Sequence, residues 1–246
     1  MKIVMKLGGG VLTDADRVKY AANIIAAEKA RGNNLLVVVS AMGKTTKNLQ
    51  NSALQYTNNP KKSALDSLYA TGEMAAAAFM EIALESIGIP AQSFNALQLR
   101  IITNDDFGDA KIIKIESDIS YLMQQEYIPI VTGFQGITTS GQLTTLGFDG
   151  SDYSASAMAV KAKADVCRFY KDVPGIYDQD PRKFPDAKKL DFITYDDMLK
   201  LADGGANVLH RRSIIMARNY NIPLEIRDIN NPEVIGTLIC RFNRQR

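Results

Sequence analysis

The run Thr144-Thr145-Leu146-Gly147-Phe148-Asp149-Gly150-Ser151-Asp152 decides how this chain is read, together with Lys171-Asp172-Val173-Pro174-Gly175-Ile176-Tyr177 and Asp180-Pro181-Arg182 behind it. Gly147 and Gly150 let the backbone approach a ligand with no Cβ in the way. Ser151 and Asp152 stand where an N-cap opens a helix over residues 153–163. Free N–H groups at such a helix start attract phosphate. Taken alone, the motif reads equally well as an ordinary capped turn, so its neighbours have to decide.

Working outward, residues 2–7 form an apolar, β-rich run that ends in Lys6-Leu7-Gly8-Gly9-Gly10 and leads into a helix over about residues 14–31. A strand, a glycine turn with a lysine, and a helix make a second phosphate-site geometry, in which Lys6 supplies a point charge. It is not a Walker A loop, since no Gly-Lys-Ser/Thr follows, nor the spaced glycine pattern of a dinucleotide fold. A flexible turn with a surface lysine is the plainer alternative. Further strands are expected at 35–40, 91–95, 128–132, 166–170, 224–227 and 238–242, alternating with helices such as an alanine-rich one over 71–86. That alternation predicts an α/β protein, a three-layer α/β/α sandwich with a mainly parallel central sheet.

Composition narrows the class. The 246 residues suffice for one large domain or two lobes. Lys+Arg 29 against Asp+Glu 27 gives a formal net charge of +2, which leaves no basic field for nucleic acid. The basic tail, residues 242–246, reads as a solvated end. Cys167 and Cys240 have no metal or redox spacing. No run approaches the ~18 apolar residues of a membrane span, and the glycines after Leu7 interrupt any signal-peptide core. A cytoplasmic protein without membrane or nucleic-acid partners is expected.

Taken together, the motifs resemble the catalytic domain of aspartate kinases, within the amino acid kinase superfamily. The matching runs are Lys6-Leu7-Gly8-Gly9, VVVSAMGKTTKNL at 37–49, Thr71-Gly72-Glu73, TGFQG at 132–136, Thr144 to Gly147, Gly150-Ser151-Asp152, DVPGIY at 172–177, Asp180-Pro181-Arg182, Gly205-Ala206 with Val208-Leu209-His210, and Gly236-Thr237-Leu238. Each is weak alone, but their order and spacing span nearly the whole chain.

The resemblance implies a single amino acid kinase domain over 1–246, with an acceptor-binding lobe (1–145), a nucleotide-binding lobe (146–241) and the tail, hinged near 141–147. It implies ATP and Mg²⁺ as cofactors, a small-molecule acid or amino acid substrate, and a homodimer. Lys6 and Asp152 take the catalytic roles. Gly8, Gly9, Lys171, Asp172, Tyr177, Asp180, Arg182, Asn207 and Val208 take the nucleotide, and Thr45, Glu73, Phe148, Asp149 and Ser151 the acceptor. No protein metal site is expected. Structural roles stay open for Glu73 as a first-turn helix acid, Tyr177 as a loop anchor and Arg182 as a surface ion pair. The lone His210 reads as structural rather than as a phospho-carrier. Aspartate kinases commonly continue into paired regulatory ACT domains, and with the sequence ending at Arg246 feedback through them is expected to be absent.

The reaction implied is direct transfer of the ATP γ-phosphoryl group to a carboxylate of aspartate or a related amino acid, without a phospho-enzyme. Several positions depart from the family pattern. Phe148-Asp149 stands for Arg-Gly, Gly10-Val11 for Thr-Ser, Lys171 for Thr or Ser, Asn207 for a phosphate-binding lysine, and Arg211 for proline. They keep two alternatives in view: a kinase of another small acid (a phosphonate, a phosphate monoester or another amino acid), or a non-catalytic nucleotide-binding sensor. An acceptor less anionic than aspartate is expected to fare better beside Asp149, unless Arg100 or Arg212 replaces the lost carboxylate anchor. Lys171 is the candidate to replace the charge lost at Asn207. Lys6→Ala and Asp152→Asn are both expected to spare the fold, as residues on solvent-facing glycine turns.

Overall fold

Alternation along the first strand sets the layers. β1 (Lys2–Leu7) buries Ile3, Met5 and Leu7 in one apolar core and Val4 in the other, so Lys6 shares the face of Val4. The computed structural model describes residues 1–206 and 208–241. From β1 the chain runs through α1 (Ala15–Ala30), β2 (Asn34–Val39), α2 (Thr45–Leu54), α3 (Lys62–Glu85), β3 (Ala91–Phe94) and α4 (Ala96–Leu99). It continues through β4 (Ile101–Thr103), β5 (Ile112–Ile115), α5 (Ile119–Leu122), β6 (Ile128–Thr132), β7 (Gln135–Ile137) and β8 (Leu143–Thr145). The second half holds α6 (Gly150–Ala162), β9 (Val166–Lys171), β10 (Ile176–Tyr177), β11 (Lys189–Leu190), β12 (Phe192–Thr194), α7 (Tyr195–Asp203), α8 (Arg211–Tyr220), β13 (Leu224–Asp228) and β14 (Thr237–Cys240).

Eight strands make one sheet in the order β12-β14-β13-β9-β1-β2-β6-β3, parallel except at β13/β14. Helices α1 and α3 cover the face of Met5 and Val37, and α6 and α8 cover the face of Val4 and Val38. This is the expected three-layer α/β/α arrangement. The seam between the halves is the β1/β9 pair, where Leu7 lies opposite Tyr170 and Lys6 opposite Phe169. Strand order reverses here, and the crevice beyond the carboxyl ends of such strands is where open α/β sheets bind ligands.

The structure redraws several boundaries. Helix α6 begins at Gly150, with Asp149 before it in the left-handed region (φ 57°) and giving no side-chain cap, so Ser151 and Asp152 lie buried in the first turn instead of capping it. Helix α3 starts nine residues before the expected 71, which puts Glu73 mid-helix and not in a first turn. The segment expected to hinge is largely β8. Gly141 is the tip of the β7/β8 turn, with its N–H donating to Thr138 O at 2.9 Å. Strands β4, β5, β7 and β8 form a second, four-stranded sheet that three- and four-residue runs had not revealed in the sequence. Residues 207 and 242–246, hence the Asn207 assignment, the basic tail and the end of the strand expected at 238–242, lie outside the described residues.

A carboxylate in α3 ties the small sheet to the large one. Asp66, 1% exposed, accepts from Thr145 N (2.9 Å), Thr145 Oγ1 (2.7 Å) and Gly108 N (2.9 Å). Burial raises its pKa against the pull of these donors. Asp66→Ala would strand buried donors, each costing about 1–3 kcal/mol. Denaturant unfolding is expected to show a loss of about 3 kcal/mol. A loss under about 1 kcal/mol would show that the clamp is not what holds β8.

Candidate active site

Asp152 is the centre of the site, and the fold explains why it is there. It lies in the first turn of α6 on the Val4 face of the sheet, facing the carboxyl ends of β1 and β9. Lys6 Nζ stands 2.6 Å from its Oδ1 and Lys171 Nζ 3.2 Å from its Oδ2, and the backbone N–H of His210 donates to Oδ2 at 3.3 Å. Asp152 is 1% exposed and Lys6 5%. Burial pushes the Asp152 carboxyl up, but Lys6 and Lys171 together outweigh it and hold its pKa at about 2. For Lys6 burial dominates and lowers its pKa, with Asp152 opposing. One buried carboxylate thus orients two ammonium groups across the strand seam.

These groups border a cavity of about 710 Å³. Gly8, Gly9 and Gly10 form one wall, and a side chain at Gly9 would overlap the Ala41 carbonyl, so the close approach there requires glycine. Glu73 reaches the cavity from α3 and is 3% exposed. Its Oε1 accepts from Ala41 N at 3.1 Å, while Oε2 has no partner among the described residues. Burial raises its pKa to about 7, against smaller opposing effects of the Ala41 N–H and Lys6. Ser151, Phe148, Asp149, Lys171 and Asp172 line the same cavity, Phe148 being 84% exposed at its rim. Asp149 and Lys171 also line a smaller cavity of about 230 Å³, beside Ala206, Leu209 and His210.

Other sequence candidates sit elsewhere. Thr45 is not part of the lining, because its methyl group faces the Cβ-less surface of Gly72, and Thr46 lines the cavity in its place. Asp180 and Arg182 bind one another, at 3.0 Å through Oδ1 and Nε, on the surface. Tyr177 pairs with Lys189 in the β10/β11 hairpin, and Val208 packs against the core on the α6 side. Arg100 is paired with Glu116. Arg212 holds Asp109 at 2.7 Å and the carbonyls of Ala110 and Leu146, so both arginines proposed as substitute anchors are committed outside the cavity. His210 accepts from Arg212 N through Nδ1 as the N-cap of α8, and burial followed by Arg212 lowers its pKa, as befits a structural histidine. Lining residues to which the sequence reading gave no role include Lys44, Lys47 and Phe134, although they lie within the matching runs, and Gln50, Tyr69 and Tyr170 outside them. Lys44 lies within the 37–49 run, but nothing in a sequence fixes which face of α2 turns inward.

With this geometry in place, comparison with known proteins is decisive for the family. Residues 1–228 match the model of the amino acid kinase family. The chain belongs to that family. Among curated proteins it is similar to the aspartokinase of Geobacillus stearothermophilus, 43% identical over 96% of this chain and 58% of that one, and to aspartokinase 2 of Bacillus subtilis, 42% identical with the same coverage. It therefore spans less than two thirds of the length of these relatives. Among solved structures, the aspartate kinase from Synechocystis superposes with a TM-score of 0.89 at 38% identity, over 100% of this chain and 40% of that one. Aspartokinase III of E. coli, solved in complex with aspartate and ADP, superposes with a TM-score of 0.85 at 26% identity, over 100% and 66%. A UMP kinase from Bacillus anthracis shares the fold at 19% identity (TM-score 0.73, over 97% and 95%). No helix among the described residues is long and apolar enough to cross a membrane.

Two outcomes follow from the burial at the site. Removing one partner of a buried charge group costs about 3–5 kcal/mol when a charge is left unpaired. Asp152→Asn, which strands Lys6 and Lys171, is expected to cost at least about 3 kcal/mol in denaturant unfolding, whereas Lys6→Ala leaves Asp152 paired with Lys171 and is expected to cost clearly less. This replaces the sequence-based expectation that both variants would spare the fold. Equal losses would contradict it. Glu73 gives a pH signature: its folded pKa of about 7 lies above the ordinary 4.5, so between these values the folded state holds a proton that the unfolded state has lost. Its contribution to stability is present below about 4.5 and is lost as pH rises through about 7. Stability curves of Glu73→Gln are expected to lack that decline. An unchanged pH slope would show that Glu73 titrates normally.

Proposed function

We propose that the chain transfers the γ-phosphoryl group of ATP to a carboxylate of aspartate or a closely related small amino acid. The observation that carries this reading is the buried Lys6–Asp152–Lys171 cluster opening on one cavity with the half-satisfied carboxylate of Glu73, in a chain similar to aspartokinases along its length. An oxygen of the acceptor carboxylate attacks the γ-phosphorus as the bond to the β,γ-bridging oxygen breaks. Its electron pair leaves with ADP, and the product is an acyl phosphate. Phosphoryl transfer needs in-line positioning and charge stabilisation more than covalent chemistry.

In this reading Lys6 faces the transferring oxygens, with Asp152 fixing its position and Lys171 extending positive charge toward the β-phosphate. The amides of Gly8 and Gly9 cradle the phosphates, and the nucleotide runs past Lys171 and Asp172 into the smaller cavity, with Val208 assigned to the same ligand on the family resemblance. Tyr177, Asp180 and Arg182 form the outer loop on that side. Glu73, Ser151, Phe148, Asp149 and the Thr45 segment bound the acceptor. The acceptor thus belongs to residues 1–145 and the rim of α6, and the nucleotide to residues 146–241 apart from its phosphates, which reach across to Lys6, Gly8 and Gly9. No group of three His, Cys, Asp or Glu side chains able to hold a metal occurs among the described residues. The carboxylates of Asp149 and Asp172 border the cavity singly, which suits Mg²⁺ that arrives on the nucleotide phosphates and takes one or two protein carboxylates. When bound, that ion neutralises phosphate charge. A homodimer is part of the same proposal, on the strength of the family resemblance.

One observation favours a second reading. Asp149 adds negative charge to the cavity rim beside the exposed ring of Phe148, which favours an acceptor less anionic than aspartate. ADP release measured against a panel of amino acids and small acids separates the two. Aspartate is expected to be the best acceptor, and Lys6→Ala to lower kcat on it by about 100-fold or more. No ADP release with any carboxylate acceptor would overturn both readings, and turnover retained in Lys6→Ala would overturn the assignment of Lys6.

A further inference from the structure

We infer that Lys44 and Lys47, at the start of α2, form the anchor for the acceptor carboxylate that is not phosphorylated, in place of the arginine that the family pattern carries at position 148. The inference rests on the carboxylate-kinase reading above and names residues within that site.

Four cations line the 710 Å³ cavity, all of them lysines. Lys6 and Lys171 are both tied to Asp152. Lys44 and Lys47 are exposed and make no ion pair among the described residues. Lys44, the N-cap residue of α2, and Thr46, Lys47 and Gln50 within the helix all line the cavity. Helix α2 packs on α3 through Thr45 and Leu49, whose side chains meet Gly72, and this leaves Thr46, Lys47 and Gln50 to face the cavity.

Electrostatics at this helix start runs against stability unless an anion is present. Helix N-termini favour acidic side chains, yet the first turn of α2 has none, Lys44 at the N-cap gives no side-chain cap, and Lys47 follows three residues later. Two ammonium groups beside the positive end of a helix repel one another and the dipole. A carboxylate between them removes both penalties and gains charge-assisted hydrogen bonds.

An independent observation fixes the class of ligand. Glu73 Oε2, on a side chain 97% buried from solvent, has no partner and borders the same cavity. That oxygen suits an ammonium group of the ligand. A cavity with an orphan carboxylate on one wall and two unpaired ammonium groups on another matches an α-amino acid held by its amine and its α-carboxylate. The side-chain carboxylate is then left free to point toward Lys6.

The test compares aspartate with β-alanine, which keeps the amine and the distal carboxylate but lacks the α-carboxylate. Wild type and Lys44→Ala/Lys47→Ala are assayed for ADP release, and each ligand is titrated calorimetrically with ADP and Mg²⁺ present. Wild type is expected to prefer aspartate over β-alanine by about tenfold or more, roughly the contribution of one charged hydrogen bond. The double variant is expected to raise KM for aspartate by about tenfold or more, leave kcat and KM for ATP within about twofold, and lose the preference. Adding Phe148→Arg to the double variant is expected to restore most of the lost affinity for aspartate. Unchanged KM for aspartate in the double variant, or equal binding of the two ligands by wild type, overturns the anchor and leaves the kinase reading standing. Absence of turnover and of binding with both ligands in wild type overturns the two together.

Discussion

The charged cluster at the seam of the sheet depends on one buried carboxylate. Asp152 sits between two lysines from different strands, and without it the low-dielectric space under α6 would not hold both ammonium groups. The cost of burying such charges is tolerable only because Asp152 also accepts the His210 N–H, and because the glycines nearby leave the cavity side of the cluster open. The result is positive charge placed rigidly at the seam of the sheet, as stabilisation of a transferring phosphoryl group demands.

The sheet supplies that rigidity. Strands β1 and β2 are buried on both faces, and alternation along β1 sends Ile3, Met5 and Leu7 into one core and Val4 into the other. Lys6 follows Val4 in the same alternation, so a shift of one residue in register would carry it to the opposite layer, away from Asp152. Parallel pairing of β1 with β9 brings Lys171 to the same end of the sheet. The geometry of the Lys6–Asp152–Lys171 cluster and the core packing are therefore fixed by the same register.

The two sides of the cavity differ in how firmly they are held. One side is built from buried charges on strand ends, whereas the other borrows α2, which has no buried residue, and a rim in which Phe148 is open to solvent. Asp66 and Arg212 bind the loops behind that rim, Asp66 through Thr145 and Gly108 and Arg212 through Asp109, Ala110 and Leu146.

By itself, the sequence determined the layered α/β class, because apolar runs with short spacing alternate with helical stretches, and it singled out Lys6, the glycine turn and Gly150-Ser151-Asp152, local motifs that the structure brings together at the seam of the sheet. It misplaced the start of α6, since Ser151 and Asp152 are both favoured N-cap residues and drew the expected helix start past Gly150, and it did not reveal the small sheet, whose strands of three or four residues hold at most two repeats of the strand alternation. Only the tertiary structure decided that Arg100 and Arg212 are committed to Glu116 and Asp109, that Thr46 and not Thr45 faces the cavity, and that Lys44 and Lys47 line it. These facts concern the direction of side chains from elements distant in the chain, which is fixed by how helices pack on the sheet and not by the order of residues along either.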